Sequence, residues 1–221
     1  MYRVRLTYTK SKEASYISEK DLYKVLETAL TRAGIYVIYS KNDIPDIEFA
    51  DSIIEGIDST CEICDINIEE HVEPAFMIKG LNQELPVGIV VLTAEYLDST
   101  DIPISKASYA VTYEIVPNLG DVTKMTNREY EDKRRWYRFR MEEYLSEPAI
   151  LVLVKNMDRN ERIDIKKAIM NFEILINDAL RITISKDTDY IFNPNYIMDG
   201  FKEYINDDIE YSIKRTKILY Q

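Results

Sequence analysis

The chain has 221 residues and a formal net charge of −11, with 28 Lys and Arg against 39 Asp and Glu. Hydrophobic residues make up 46%, which excludes wholesale disorder, and no apolar run approaches the roughly 20 residues that span a bilayer. Two cysteines and one histidine leave little material for a disulfide framework, a metal centre or histidine-based catalysis, so the composition predicts neither a metal nor a cofactor.

The first hundred residues show the element order of a small α+β unit. The N-terminal MYRVRLTYTK alternates as a half-buried strand does and lacks the apolar stretch of a signal peptide, which predicts a cytoplasmic protein. Ser18 is a good N-cap, and apolar residues recur at helical spacing before Gly34, which predicts a helix over 18–33. A second helix begins at Pro74. Further strands are predicted over residues 35–39, 47–50, 58–69 and 89–97.

The remaining residues repeat this order after a linker at 99–103. An alternating strand over 107–116 is followed by a charged amphipathic helix over 127–145 and an apolar strand over 150–154. Two strands then flank the turn pair Asn177-Asp178, and a short helix and a last strand follow. The sequence therefore predicts an α+β fold of two ferredoxin-like (split βαβ) units in tandem. The units are predicted over residues 1–100 and 101–221, and the second carries an additional strand and an extra hairpin.

Cys61 and Cys64 have the Cys-x-x-Cys spacing of a redox or zinc pair. A zinc site needs two more ligands and His71 is the one histidine, whereas a redox pair lies where a strand turns into a helix. Here the pair lies inside a stretch that continues as a strand, and residues three apart on a strand point to opposite faces. The two thiols are therefore predicted to diverge, as ordinary strand cysteines.

Acidic residues are concentrated between residues 42 and 101, where 15 acidic side chains accompany a single basic one, Lys79. Such a stretch repels phosphate, which argues against a nucleic-acid surface in this half, and no DNA partner is expected. Its spacing matches no calcium loop, and carboxylates at alternating strand positions point to both faces. We expect a solvated acidic face, which is also able to meet a basic partner protein.

The most distinctive segment is KRRWYRFR at 133–140, which places five cations and three aromatic rings on a predicted helix. Basic side chains neutralise phosphates and exposed rings stack on unpaired bases, so single-stranded RNA is one physically sound ligand. The alternative is a helix that buries Trp136, Phe139 and, in one version, Tyr137. Its arginines would then pair with acids of the same helix, such as Arg138 with Glu142; these acids are Glu129, Glu131, Asp132, Glu142 and Glu143. The candidate RNA- or partner-binding residues are Arg134, Arg135, Trp136, Tyr137, Arg138 and Arg140.

Short segments spread over most of the chain resemble a known family. They are YRVRL (2–6), ISEKDLYKVLETALTRAG (17–34), YS (39–40), IEFA (47–50), EGI (55–57), LPVGI (85–89) and RIDI (162–165). Together they resemble the radical SAM-linked protein family, an uncharacterised domain found free-standing or attached to the C-terminus of B12-binding radical SAM proteins. The resemblance implies an accessory role, with a radical SAM enzyme or an RNA-processing protein as the partner.

The sequence departs from that family in two places. Relatives begin the first helix with a Ser-His-Leu-Asp type run, where this chain has SEKD, and their next loop resembles Asn-Pro-His-Pro-Lys, where this chain has NDIPD. If the family's histidines form a site, this chain retains four members of it as a candidate pocket: Ser18, Asp21, Asn42 and Pro45. No Cys-x-x-x-Cys-x-x-Cys motif is present, so the chain itself cannot hold the iron–sulfur cluster of radical SAM chemistry.

We therefore predict a non-catalytic accessory or adaptor module that binds a partner protein or RNA and no membrane. The alternative is an enzyme that acts on a small molecule or an RNA base through the candidate pocket, with Asp21 as acid or base. A third hypothesis is an interaction protein that uses its acidic half. An acidic residue in a first helical turn more commonly caps the helix, and this favours the adaptor over the enzyme.

Overall fold

The computed structural model describes residues 1–40, 43–52, 54–121, 123–155, 160–188 and 190–221. Its contacts divide the chain into two compact units, one formed by Met1–Val111 with Lys214–Gln221 and the other by Thr112–Ile213. Residue 100, where the sequence places the boundary, lies in a turn of the first unit. Among the described residues, no helix combines the length and apolar character of a membrane span.

The first unit has the ferredoxin-like order of strand, helix, strand, strand, helix, strand. Its elements are β1 (Tyr2–Lys10), α1 (Glu19–Arg32), β2 (Ile47–Phe49), β3 (Asp58–Ile68), α2 (Pro74–Glu84) and β4 (Ile89–Leu97), followed by the short helix α3 (Ile104–Ala107). The strands pair antiparallel in the order β4-β1-β3-β2, which confirms the predicted split βαβ arrangement. The C-terminal segment adds a parallel partner to β3, with Lys214 opposite Asp58 and Arg215 opposite Ser59.

Helix α1 begins and ends where the sequence predicts. Ser18 is its N-cap, and the Ser18 side chain accepts a hydrogen bond from the backbone N–H of Asp21. Gly34 follows the last turn with φ of +74°, a left-handed conformation that glycine adopts without strain.

The strand prediction is wrong for residues 35–39. These residues form only isolated bridges, from Val37 to Ile68 and from Tyr39 to Pro45. The regular ladder beside β3 belongs instead to β2. Both segments lie along the same edge of β3, since Val37 is opposite Ile68 and β2 continues beside residues 64–66, but only β2 forms a continuous ladder.

The second unit repeats the same strand order around its own helices. The elements that follow are β5 (Ser108–Pro117), α4 (Asn127–Ser146), β6 (Leu151–Lys155), β7 (Asn160–Asp164), β8 (Ile169–Ile174), β9 (Leu180–Ser185), α5 (Asn195–Ile205) and β10 (Tyr211–Tyr220). The start of β5 up to Val111 and the part of β10 from Lys214 onward belong to the first unit. The strands run in the order β10-β5-β9-β8. The α+β class and the tandem ferredoxin-like units are therefore as predicted.

The strand predicted over 150–154 belongs to a separate hairpin of the second unit. In the described part of the chain, β6 and β7 form their own two-stranded sheet. Asp164 Oδ1 accepts hydrogen bonds from the backbone N–H groups of Ile150 at 2.9 Å and Lys166 at 3.0 Å, which closes the base of this hairpin. The hairpin lies between α4 and β8 in the chain and supplies the additional strand material of this unit.

Two members of the acidic stretch are buried in ion pairs within the first unit. Arg215 Nη1 donates to both carboxylate oxygens of Glu62 at 3.1 Å, and both side chains are almost fully buried. Arg5 donates to Asp65 from Nε at 2.7 Å and from Nη2 at 2.9 Å, and Asp65 also accepts from the backbone N–H of Ile104. The expectation of a solvated acidic face is therefore wrong for Glu62 and Asp65, because β10 and β1 bring a guanidinium to each.

The two cysteines lie on opposite faces of β3, as their spacing predicts. Cys64 is opposite Leu6 of β1 and belongs to the buried core beneath α1 and α2. Cys61 packs on the other face, against a smaller buried cluster that contains Ile63 and Ile218. The divergence follows from the pleat of the strand, which sends residues three apart to opposite sides.

We expect neither thiol to react with Ellman's reagent in the native protein. Burial raises the pKa of Cys61 to about 11 and also raises the pKa of Cys64, so neither is a thiolate near neutral pH. Absorbance at the thionitrobenzoate band measures the reaction, and both thiols should appear only after guanidinium is added. Rapid release of thionitrobenzoate by the native protein, before guanidinium is added, would contradict this expectation.

Candidate partner-binding surface

Helix α4 begins with a capping box. The backbone N–H of Glu129 donates to Thr126 Oγ1 at 3.2 Å, and the backbone N–H of Thr126 donates to Glu129 Oε2 at 2.8 Å. The hydrogen bonds that Thr126 donates to this carboxylate, from its backbone N–H and from its hydroxyl, lower the pKa of Glu129, so the carboxylate stays charged at the positive end of the helix dipole. The cap fixes the start of α4 and places residues 133–140 on a helix, as the sequence predicts.

The inner face of α4 packs against α5. Tyr137 and Tyr144 are buried, and their rings lie 5.8 and 5.6 Å from the ring of Phe201, measured between centroids. Burial raises the pKa of both tyrosines above the ordinary value, so both hydroxyls stay protonated. Tyr137, one of the candidate binding residues, is therefore part of the core of the second unit.

Arg134 and Arg138 converge on Asp178, in the turn between β8 and β9. Arg134 Nε donates to Asp178 Oδ2, Arg138 Nη1 donates to Oδ1 at 2.8 Å, and both arginines also donate to backbone carbonyls of this turn. The Asp178 side chain is 4% exposed. Burial alone raises the pKa of this carboxyl, but the two guanidinium groups outweigh that effect and lower the pKa below its usual range. Arg138 thus pairs with Asp178 instead of the predicted Glu142.

The outer face of α4 carries two exposed aromatic side chains. Trp136 is 38% exposed and Phe139 is 63% exposed, and residues three apart are neighbours on a helix surface. Arg135 lies on the same face and forms an ion pair with Asp132. The hypothesis that this helix buries Trp136 and Phe139 is therefore wrong for these two residues, whereas Tyr137, the third aromatic residue it named, is buried. We call Arg135, Trp136 and Phe139 the Trp136 patch.

Ion pairs involve the four arginines of the 133–140 segment. Arg140 pairs with Glu143, and its guanidinium carbon lies 4.8 Å from the ring centroid of Tyr204. Four arginines of the segment therefore have a carboxylate partner: Arg134, Arg135, Arg138 and Arg140. Paired carboxylates reduce the positive potential that a phosphate group would meet at this surface.

The residues of the candidate pocket are only partly brought together. Ser18 Oγ donates to Asp21 Oδ2 at 2.8 Å, and this hydrogen bond is the main reason that the pKa of the exposed Asp21 is lowered. Pro45 is buried in the bridge that precedes β2, and Asn42 lies outside the described residues. Among the described residues, no group of three or more His, Cys, Asp or Glu side chains could hold a metal ion. Ser18 and Asp21 act together as a helix cap.

Asp178 is the residue of this region that sequence reasoning missed. The pair Asn177-Asp178 predicts a turn, and Asp178 does adopt a left-handed φ of +66°. An aspartate in a turn is ordinarily exposed, so the local pattern contains no signal that this one is buried beneath two arginines from another element. Asp178 lies 44 residues from Arg134 and 40 from Arg138, so it can be recognised as their partner only when the fold is known.

Comparisons with known proteins give a matching family model and distant structural likenesses, two of which are described below. A family model described as "Uncharacterized protein conserved in bacteria (DUF2344)" matches residues 3–194. No curated protein matches the chain. An unknown protein from Galdieria sulphuraria is similar at 9% identity and a TM-score of 0.32, over 97% of this chain and 98% of that chain. A structure described as "putative glycine cleavage system transcriptional repressor" is similar at 10% identity and a TM-score of 0.26, over 100% of this chain and 98% of that chain.

Proposed function

The chain belongs to the uncharacterized family conserved in bacteria (DUF2344), and we propose that it is a non-catalytic adaptor that binds a partner protein through the Trp136 patch. Its resemblance to radical SAM-linked proteins supports a radical SAM enzyme as that partner. The chain lacks the cysteine motif that holds an iron–sulfur cluster, so in such a complex the partner supplies the cluster. The adaptor then supplies a binding surface.

The main support for a binding role of the Trp136 patch is that Trp136 and Phe139 are both exposed on one face of α4. Both rings are substantially open to water although they belong to residue types that fold most favourably inside a core. Exposed apolar clusters rimmed by polar residues mark interaction sites, and tryptophan is enriched among the residues that dominate binding energy. Arg135 and Asp132 form the polar rim here. The patch thus has the composition of a protein-docking anchor.

The charge arrangement favours a protein partner over RNA. Arg134 and Arg138 are held by Asp178, and a phosphate contact would have to compete with these partly buried hydrogen bonds. Arg135 remains the most exposed arginine of the segment, yet it also has an acidic neighbour. A surface whose four arginines are already paired contributes less to counterion release, which supplies most non-specific RNA affinity.

The geometry of Asp21 supports an adaptor more than an enzyme. The Asp21 side chain is 61% exposed and receives a hydrogen bond from Ser18 that stabilises its charged form. A general acid at neutral pH needs the opposite shift, a pKa raised toward the working pH. Capping of α1 accounts for its two hydrogen bonds with Ser18, and Lys24 on the same helix pairs with its carboxylate at 3.6 Å.

We expect Trp136→Ala to weaken binding to a radical SAM partner by about tenfold or more, which corresponds to roughly 1.4 kcal/mol. Tagged full-length chain is purified from its own bacterium, and the bound proteins are searched for the Cys-x-x-x-Cys-x-x-Cys motif. The enzyme found is then purified and titrated against the wild-type chain and the variant by calorimetry. Because Trp136 is on the surface, the variant should keep the wild-type melting temperature.

Phe76→Ala is the matched control, since Phe76 is an exposed aromatic residue on α2, 72% exposed and in the other unit. It should bind like the wild type. Recovery of no radical SAM enzyme, or equal binding by the Trp136→Ala and Phe76→Ala variants, would overturn the proposal. A parallel filter assay with total RNA at two salt concentrations tests the RNA alternative: steeply salt-dependent retention that Arg135→Glu abolishes would replace the protein partner by RNA.

A further inference from the structure

The first unit contains a cavity that the proposed docking role does not use. The cavity has a volume of about 540 Å³ and lies where β1 begins and β4 ends. Small-molecule sites span roughly 300 to 1,000 Å³, so this cavity can hold a small ligand. Its lining combines three rings with one guanidinium group, and the residues that supply them are Tyr2, His71, Tyr96 and Arg3. All of its lining residues belong to the first unit.

The three rings form one connected cluster. His71 is stacked on Tyr96, with 4.5 Å between the ring centroids and 9° between the planes, and Tyr2 meets His71 edge-on at 5.5 Å. The Tyr96 hydroxyl accepts from the backbone N–H of Val72 at 2.8 Å and donates to its carbonyl oxygen at 2.6 Å, so this ring is held in place. Tyr2 is 42% exposed and His71 is exposed, which leaves ring surface for the planar group of a ligand.

Arg3 is the cation of this cavity, and it has no carboxylate partner among the described residues. Its Nη2 donates to the carbonyl oxygens of Asp98, at 3.1 Å, and Asp101. Its Nη1 has no hydrogen-bond partner in the described part of the chain and, unlike Nε, is not closed to water. The other buried or half-buried arginines that the structure describes all form ion pairs: Arg5, Arg134, Arg138, Arg140 and Arg215. A half-buried guanidinium with open N–H groups beside a cavity therefore indicates an anionic ligand.

The surroundings of Arg3 restrict the charge of that ligand. Residues 42–101 carry 15 acidic side chains and one basic one, and Asp98 lines the cavity itself, so a doubly charged phosphate is repelled. A carboxylate carries a single negative charge and is a strong acceptor for a guanidinium group. Ser99, whose hydroxyl is a second donor, also lines the cavity.

We propose that this cavity binds an aromatic carboxylate, with its ring against Tyr2 and His71 and its carboxylate at Nη1 of Arg3. Tyr2 and Arg3 are consecutive on β1 and point to opposite faces, so a cavity that both residues line crosses the end of the strand. A ligand with a short chain between ring and carboxylate spans the two sides. Two sources share this chemistry: an aromatic acid without an amino group, and an aromatic amino acid, whose ammonium group suits Asp98. The proposal is independent of the Trp136 patch and can fail without affecting it.

Calorimetric titration of the full-length chain with three indole compounds tests the proposal. Indole-3-propionate has the carboxylate alone, tryptamine has the ammonium group alone, and L-tryptophan has both. Indole-3-propionate should bind at least about tenfold more tightly than tryptamine, although the net charge of −11 attracts the cation. Tighter binding of L-tryptophan than of indole-3-propionate would support an amino acid as the natural ligand, and the reverse order would support the simple acid. Preference for tryptamine, absence of binding by both acids, or tighter binding of guanosine monophosphate would overturn the proposal.

Arg3→Gln tests the carboxylate contact. The variant should lose the preference for indole-3-propionate over tryptamine, because the anion has lost its donor. Arg32→Gln is the matched control, since it removes the same charge from an exposed position on α1 in the same unit, and it should keep the preference. The comparison is between two ligands on one folded variant, so lower stability does not imitate the result. A preference that survives in Arg3→Gln would overturn the assignment of Arg3 and with it the site.

Tyr2→Leu tests the ring contact at an exposed position, where the variant should keep the fold. Affinity for indole-3-propionate should fall about threefold or more, because the ligand loses an aromatic neighbour. Tyr16→Leu is the control, since Tyr16 is 71% exposed in the same unit outside the cavity, and it should leave the affinity unchanged. Equal affinities of the Tyr2→Leu and Tyr16→Leu variants would overturn the proposed position of the ligand ring.

Discussion

Replacement of Arg215 by methionine should lower the free energy of unfolding by about 3 to 5 kcal/mol, the cost of leaving a buried carboxylate without its partner. The Arg215 side chain is 3% exposed and donates to both oxygens of Glu62 from Nη1. Its Nη2 donates to Asp51 Oδ2 at 3.1 Å and to the carbonyl oxygen of Ser52 at 2.8 Å. One guanidinium therefore joins β3, the segment after β2 and the C-terminal strand.

Urea unfolding followed by circular dichroism measures this loss. The double variant Arg215→Met with Glu62→Gln should recover part of the stability, because it no longer buries an uncompensated charge. Arg181→Met is the control, since Arg181 pairs with Glu114 and Glu173 at a largely exposed position and should cost no more than about 1 kcal/mol. Equal effects of Arg215→Met and Arg181→Met would show that the buried pair contributes no more than a surface pair.

Asp178→Asn should lower the free energy of unfolding by about 2 to 3 kcal/mol at neutral pH, because two charged hydrogen bonds lose their buried acceptor. Asparagine tolerates the left-handed φ of +66° at this position, so the change tests the charge and not the backbone. Asp132→Asn is the control, because Asp132 forms an exposed ion pair with Arg135 on α4, and it should change the free energy of unfolding by less than about 1 kcal/mol.

The loss in Asp178→Asn should depend on pH in a defined direction. Arg134 and Arg138 hold the folded-state pKa of Asp178 below its unfolded value of about 3.9. Its stabilisation is therefore fully present above that unfolded value and is lost as the pH falls through the folded-state pKa. The difference between wild type and variant, measured by urea unfolding, should be constant near neutral pH and should shrink below about pH 4. A difference that persists unchanged in acid would contradict the ion-pair explanation.

This variant also connects stability with the proposed docking role. Asp178 holds the two arginines that flank the Trp136 patch along α4, and its loss should loosen this helix against the β8–β9 turn. Partner affinity should therefore fall somewhat in Asp178→Asn, although Asp178 itself is buried away from the patch. The effect on affinity should be smaller than that of Trp136→Ala, because the exposed ring remains.

Local signals in the sequence were sufficient for the element order. The Ser18 cap and the periodicity after it predicted α1, and the amphipathic pattern alone predicted α4, because caps and apolar stripes act within one or two helical turns. The order of strands and helices occurs twice along the chain. This repeat was enough to predict the two ferredoxin-like units, since few topologies accommodate that order. The opposite faces of Cys61 and Cys64 also followed from strand geometry alone.

Only the tertiary structure decided which charged and aromatic residues are exposed. Arg138 pairs with Asp178, 40 residues away, instead of with Glu142 on its own helix, and Glu62 finds Arg215 at a separation of 153 residues. Sequence alone determined that residues 133–140 form a cationic, aromatic helix, but not that Trp136 would face outward. The physical reason is one of range: periodicity and capping depend on neighbouring residues, whereas burial and ion pairing depend on which distant elements the fold places opposite each side chain.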